Sequence, residues 1–225
     1  HDTQETALEK ASSEAIEHLI CDKLKIGSVG FAISGESSAE IHAQHEALER
    51  YFFNEHIRLN ISFQLVQNPD SPLYNSALRL SEEFKILNTD AHVTFYKMST
   101  PEQFLGVVCS ITLKSKLPEF LGLSLGTNPE HVSRHALCEA LANYARKKDS
   151  PETFDVDVEK DKNLWACNKK TLQSVSHLFT QANQNNQVIL LPEIFTHKLD
   201  ISMIHSLSGC PIQPIQCVLA KKDHL

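Results

Sequence analysis

Long apolar runs are missing from this sequence. None approaches the roughly 18–20 residues that span a bilayer, and one of the longest, QVILLP at 187–192, is strand-sized, so no membrane span is expected. Basic clusters are equally scarce. None exceeds a pair such as Lys147–Lys148, and the net charge is −7. Nucleic-acid binding depends on a basic surface that releases counterions from phosphates, so that role is excluded too. The six cysteines, Cys21, Cys109, Cys138, Cys167, Cys210 and Cys217, lie far apart without a CxxC, which argues against a zinc ribbon or a dense disulfide framework. Reduced thiols in the cytoplasm are the expectation. There is no G-x-S-x-G, no P-loop and no G-x-G-x-x-G.

What remains is an ordinary globular composition over 225 residues, enough for a substantial core, and a single domain over 1–225 is expected. The chain starts at His1 rather than methionine, which leaves room for native residues upstream.

Local patterns predict the elements. Asp2 and Glu5 form a capping box ahead of Leu8, Ala11, Ala15 and Leu19 at helical spacing. A glycine-flanked strand in KIGSVGFAISG follows, and Ser37 with Glu40 opens a second helix. IRLNISFQLV at 57–66 alternates apolar and mostly polar residues, as a half-buried strand does. Pro72 with Leu73, Ala77, Leu80, Phe84 and Leu87 predicts a third helix, and AHVTFYKM and LGVVCSITL two strands. Asn128 as cap and Pro129 in the first turn begin a helix whose basic end suits its dipole. The acidic 150–163 reads as a loop or lid; a helix at 171–184, a strand at VILLP and an extended PIQPIQCVLA complete the chain. Helices and strands without strict βαβ alternation predict an α+β class, a layered mixed sheet with helices.

The stretch QHEALERYFF, 44–53, is the most unusual, because two glutamates and an arginine crowd toward an apolar side. Stepping about 100° per residue from Ile41 puts Leu48 and Phe52 within about 20°, Glu49 near about 80° and Glu46 near about 140°, flanking Phe53. A carboxylate half removed from water must be protonated, paired or metal-bound, and Arg50 stands beside both. A plain i, i+3 pair on a solvated face is the alternative. His45-Glu46-x-x-Glu49 nearly spells a zinc-protease helix but lacks its second histidine, and His42 and His45 have no evident third partner. Glu14 and Glu17 repeat the spacing on the first helix and read as solvated. Cys138 is three residues after His135 and reads as a buried thiol rather than a nucleophile.

Taken together, ALEKASSEAIEHL, SVGFAISGESSAEIHAQHEALERYFF and LSLGTNPEHVSRHALCEAL, in that order, resemble the YcaO-domain family, with its A-L-x-E-x-x-E-R helix and its later G-x-x-x-x-P-E…A-L-x-E-A helix. QVILLPEIFTHKLDISMIHSLSG is similar to the family's closing strands. The resemblance implies a fold that binds ATP and Mg²⁺ through carboxylates from several helices: Glu14, Glu17, Glu46 and Glu49 at metal, and Glu46, Glu49, Arg50, Arg134 and Glu139 toward the nucleotide. It implies ATP-dependent modification of a peptide or protein backbone amide, of azoline or thioamide type, or an accessory role in such modification, including methylthiolation. A peptide or protein substrate, a partner protein that delivers it and a homodimer are the associations expected. The departures are His18 and His135 where arginine is common, Ser38 where glutamate is expected, Ala142 where glutamine is common, and Pro211 and Pro214 in place of a terminal P-x-P-x-P. Those losses point to the alternative, a degenerate non-catalytic domain that binds a peptide or a partner.

Overall fold

The computed structural model describes residues 30–34, 39–87, 91–113, 118–149, 169–180, 189–199 and 216–221. The expected first helix, with Glu14 and Glu17, and the acidic 150–163 lie outside them. The elements are β1 (Gly30–Ser34), α1 (Ala39–Leu59), β2 (Gln64–Leu65), α2 (Pro72–Leu87), β3 (His92–Lys97), β4 (Leu105–Thr112), β5 (Phe120–Gly126), α3 (Pro129–Asp149), α4 (Lys169–Val175), α5 (His177–Thr180), β6 (Phe195–Leu199) and β7 (Gln216–Lys221). Contacts divide the chain into two compact units, His1–Arg50 with Pro192–Leu225, and Tyr51–Leu191. The first holds an antiparallel sheet of order β1-β7-β6, in which Ala32 faces Val218 and His197 faces Leu219.

The second unit is built on an antiparallel sheet of order β2-β3-β4-β5. The fold is α+β, and every strand pair among the described residues is antiparallel. Phe95, Cys109 and Gly122 lie side by side across β3, β4 and β5. Their face of the sheet joins the apolar stripes of two helices, Leu73, Ala77, Leu80 and Phe84 from α2 and Val132, Ala136, Leu137 and Ala140 from α3, in one core with Val107, Ile111 and Phe120. All seven residues of β5 and six consecutive residues of β4 are buried, so both faces of these strands are covered. α2 and α3 are also pinned at the surface: Glu130, in the first turn of α3, takes Arg79 of α2 and Arg134 of its own helix.

Three expectations are corrected here. Residues 57–66 do not form a strand, because α1 continues to Leu59 and only Gln64 and Leu65 pair, both exposed. The helix ends on Asn60, whose φ of 54° is the left-handed conformation of a helix cap. The Ile61 N–H then reaches back to the His56 carbonyl at 2.9 Å and the Asn60 N–H to Ile57 at 3.3 Å. Tertiary packing stabilises this end: Phe63 stacks on His56, Phe53 and Phe179, at ring-centre distances of 4.5, 5.3 and 4.7 Å. The second correction concerns VILLP, whose residues 189–192 are irregular. Ile189 is buried but Leu190 is 79% exposed, and the strand begins only at Phe195. The helix expected at 171–184 is broken at Ser176 into α4 and α5.

His56 fastens α1 to the sheet. Its Nε2 accepts the Ser99 N–H at 2.8 Å, so Nδ1 carries the proton and donates to the Ile61 carbonyl at 2.9 Å. Both ring nitrogens of a fully buried imidazole are thereby satisfied.

Candidate functional site

From Ala43 to Phe53, α1 has no fully exposed residue; Ala43, Ala47, Leu48, Phe52 and Phe53 are buried and the rest are half-buried. The burial does not centre on Ile41, as periodicity suggests, since Ile41 is 56% exposed. Glu46 therefore sits where a lone carboxylate would be costly, and it is paired: Arg50, one turn on, donates Nη2 to its Oε1. Glutamate before arginine at i, i+4 is the favourable order along a helix. Glu49 is half-buried beside them. His45 is half-buried too, and burial, then the neighbouring His42, lowers its pKa. Among the described residues, no group of three metal-holding side chains forms around His42, His45, Glu46 and Glu49.

The third helix begins as its sequence predicts: Asn128 Oδ1 accepts the His131 N–H at 3.1 Å, and the Asn128 carbonyl accepts from Val132 at 3.0 Å. It then lies directly on β5 at Gly122. A Cβ built there would stand 2.0 Å from the Ala136 carbonyl oxygen and 2.4 Å from the Ala140 nitrogen, so backbone meets backbone and only glycine allows it. This approach brings two side chains to the outer edge of β5, which has no further strand partner among the described residues. Glu139 Oε2 accepts the Leu123 N–H, and the Asn143 amide donates to the Leu121 carbonyl at 2.8 Å. Glu139 is thus anchored to the sheet. Asn143, 5% exposed, was missed by sequence reasoning, although a polar residue four beyond Glu139 on the buried side of a helix is a usable signal.

Arg134 is not beside Glu139. Five residues apart, they lie about 140° apart around the helix. Arg134 is exposed and bonds Glu130 at 3.2 Å. Cys138 is exposed rather than buried. Cys109 is the buried thiol: desolvation, then Glu139 and Cys138, hold its pKa well above the ordinary value, so it stays protonated and unreactive. Of the residues singled out by sequence, Glu46 and Arg50 are in contact and Glu49 neighbours them on α1, while Glu139 belongs to the second unit, anchored on β5.

No sequence-family model matches the chain, and no curated protein matches it. Solved structures do. A heterocyclase in complex with substrate and cofactor superposes with a TM-score of 0.56 at 12% identity, over 86% of this chain and 27% of its own. The heterocyclase TruD gives 0.51 at 14% identity, over 86% and 28%. YcaO from Methanopyrus kandleri, bound with AMPPCP and Mg²⁺, gives 0.54 at 11% identity, over 87% and 54%. The chain thus spans between about a quarter and about a half of the length of these structures. By its architecture, this chain has the fold of the YcaO domain.

Proposed function

We propose that this chain is a YcaO-type domain that takes part in an ATP- and Mg²⁺-dependent modification of a peptide or protein backbone amide. The observation that carries this reading is the likeness, over 87% of the chain, to a YcaO structure bound with AMPPCP and Mg²⁺. The donor chemistry agrees with it. Magnesium takes oxygen ligands and shares them with phosphates, and Glu46 and Glu49 are half-buried carboxylates one turn apart. A carboxylate has about four lone-pair positions, so the Arg50 contact does not exhaust Glu46. In this reading Glu46 and Glu49, with Glu14 and Glu17, hold metal. Arg50 orients Glu46 and offsets phosphate charge, and Glu139 acts from a position set by the Leu123 N–H. ATP, when bound, would supply the phosphoryl group that makes an amide oxygen a leaving group. The chain's own residues contribute positioning and charge neutralisation. Arg134, which bonds Glu130 at the surface of α3, is the further residue this reading assigns toward the nucleotide.

A non-catalytic domain that binds a peptide or partner is the second reading. It is favoured by carboxylates already engaged inside the protein: Glu46 by Arg50, and Glu139 by Leu123. Calorimetric titration with AMPPCP and Mg²⁺ separates the two. Saturable binding that Glu46→Gln and Glu49→Gln each abolish, at nearly unchanged melting temperature, supports the first. No heat of binding to the wild type supports the second, and variants that lose several degrees without a change in affinity make these glutamates structural.

A further inference from the structure

We propose that His131 and His135 on α3 form a surface chelate for a borderline divalent cation such as Zn²⁺, Ni²⁺ or Cu²⁺. The two are four residues apart, hence stacked one turn above the other on one face of the helix. Both are exposed, their ring planes lie within 12° of parallel and their centres are 6.2 Å apart. Two histidines at i, i+4 are the spacing by which a helix holds zinc in the H-E-x-x-H motif, and imidazole nitrogen suits zinc, copper and nickel. Here the intervening residues are Val132, Ser133 and Arg134, with no glutamate to act as base, so the pair binds without implying hydrolysis.

The surroundings permit a cation there. The nearest guanidinium in sequence, Arg134, is drawn to Glu130, which also holds Arg79. The positive pole at the start of α3 opposes a cation only weakly at an exposed position, and two metal–imidazole bonds outweigh it. Each ring needs only one nitrogen for the metal, so a hydrogen bond at the other would orient the ring without blocking the metal. No third His, Cys, Asp or Glu completes a set among the described residues. The described residues therefore supply two ligands, and water or a donor group on a second molecule fills the remaining positions. Magnesium, which prefers oxygen, does not compete for this pair, so the site stands or falls apart from the nucleotide reading.

The test uses the untagged chain with Mg²⁺ held constant. It is titrated with Zn²⁺ by calorimetry and with Cu²⁺ by electron paramagnetic resonance, beside His131→Gln, His135→Gln and Cys138→Ser. Because the sequence has 12 histidines, the readout is the difference between proteins. Both histidine variants are expected to lose one binding event, or to weaken it by about tenfold or more, with unchanged circular dichroism; Cys138→Ser should match wild type. The Cu²⁺ spectrum of wild type should show two nitrogen ligands that each histidine variant reduces by one. Equal uptake by wild type and both histidine variants, or a loss in only one of them, overturns the proposal.

Discussion

Replacing Gly122 by alanine adds a single methyl group, and the structure says where it goes. The new carbon would stand 2.0 Å from the Ala136 carbonyl oxygen and 2.4 Å from the Ala140 nitrogen, against the 3.4 Å at which ordinary contact begins, a shortfall of 3.4 − 2.0 = 1.4 Å at the nearer atom. Both atoms are helix backbone, so no rotamer change relieves the clash and α3 must move off the sheet as a body. A radial gap of about 0.5–1 Å already forfeits a quarter to a half of each dispersion contact along the interface. The same movement stretches the bonds from Glu139 to Leu123 and from Asn143 to Leu121. Overpacking usually costs about 1–3 kcal/mol, and with a rigid obstacle the upper end is expected, about 3 kcal/mol. Gly126 is the internal control. A Cβ there meets Val132 Cγ1 at 2.9 Å, the end of a side chain that can shift, and about 1 kcal/mol is expected. In urea denaturation with a slope near about 2 kcal/mol per molar, Gly122→Ala should lower the midpoint by about 1.5 M and Gly126→Ala by about 0.5 M. If Gly122→Ala costs no more than Gly126→Ala, the backbone-to-backbone contact is not what seats α3.

His56 should make the protein acid-sensitive. Burial lowers its pKa, partly offset by its bond to Ile61, and its Nε2 can accept from Ser99 only while unprotonated. The unfolded state therefore binds the proton first. The stabilisation is complete above the unfolded value near about 6.5 and falls as pH drops from there through the lower folded value. Urea midpoints measured from pH 7.5 to 5 should show that fall, and His56→Leu should flatten it while leaving Ser99 and Ile61 without their partner, at a cost of about 2–4 kcal/mol. An identical acid slope in the variant would assign the effect elsewhere, His45 being the first suspect. At the sheet edge, Asn143→Leu leaves the Leu121 carbonyl unsatisfied and should cost about 1–3 kcal/mol by denaturation. Glu139→Gln retains an acceptor for Leu123 and should cost less than about 1 kcal/mol. If both are silent, the edge is closed by other groups.

Much of this molecule is written in short-range pattern. Pro72 and the apolar stripe of α2, Asn128 and Pro129 at the start of α3, and the runs that became β3 and β4 each carry their own start, stop or period, so segments of 6 to 21 residues suffice to read them. The family resemblance also rests on such local runs, and the fold agrees with it. Other features depend on residues distant in the chain. Residues 57–66 hold a strand's alternation, yet Asn60 turns left-handed and Phe63 stacks between α1 and α5, because aromatic contacts to Phe179 outweigh a two-residue preference. Whether Ile41 or Ala43 is buried, and why β5 has glycine at 122, both depend on which surface lies opposite. A period assigns faces to a helix; only packing decides what each face meets, and so which carboxylates are held by the protein itself.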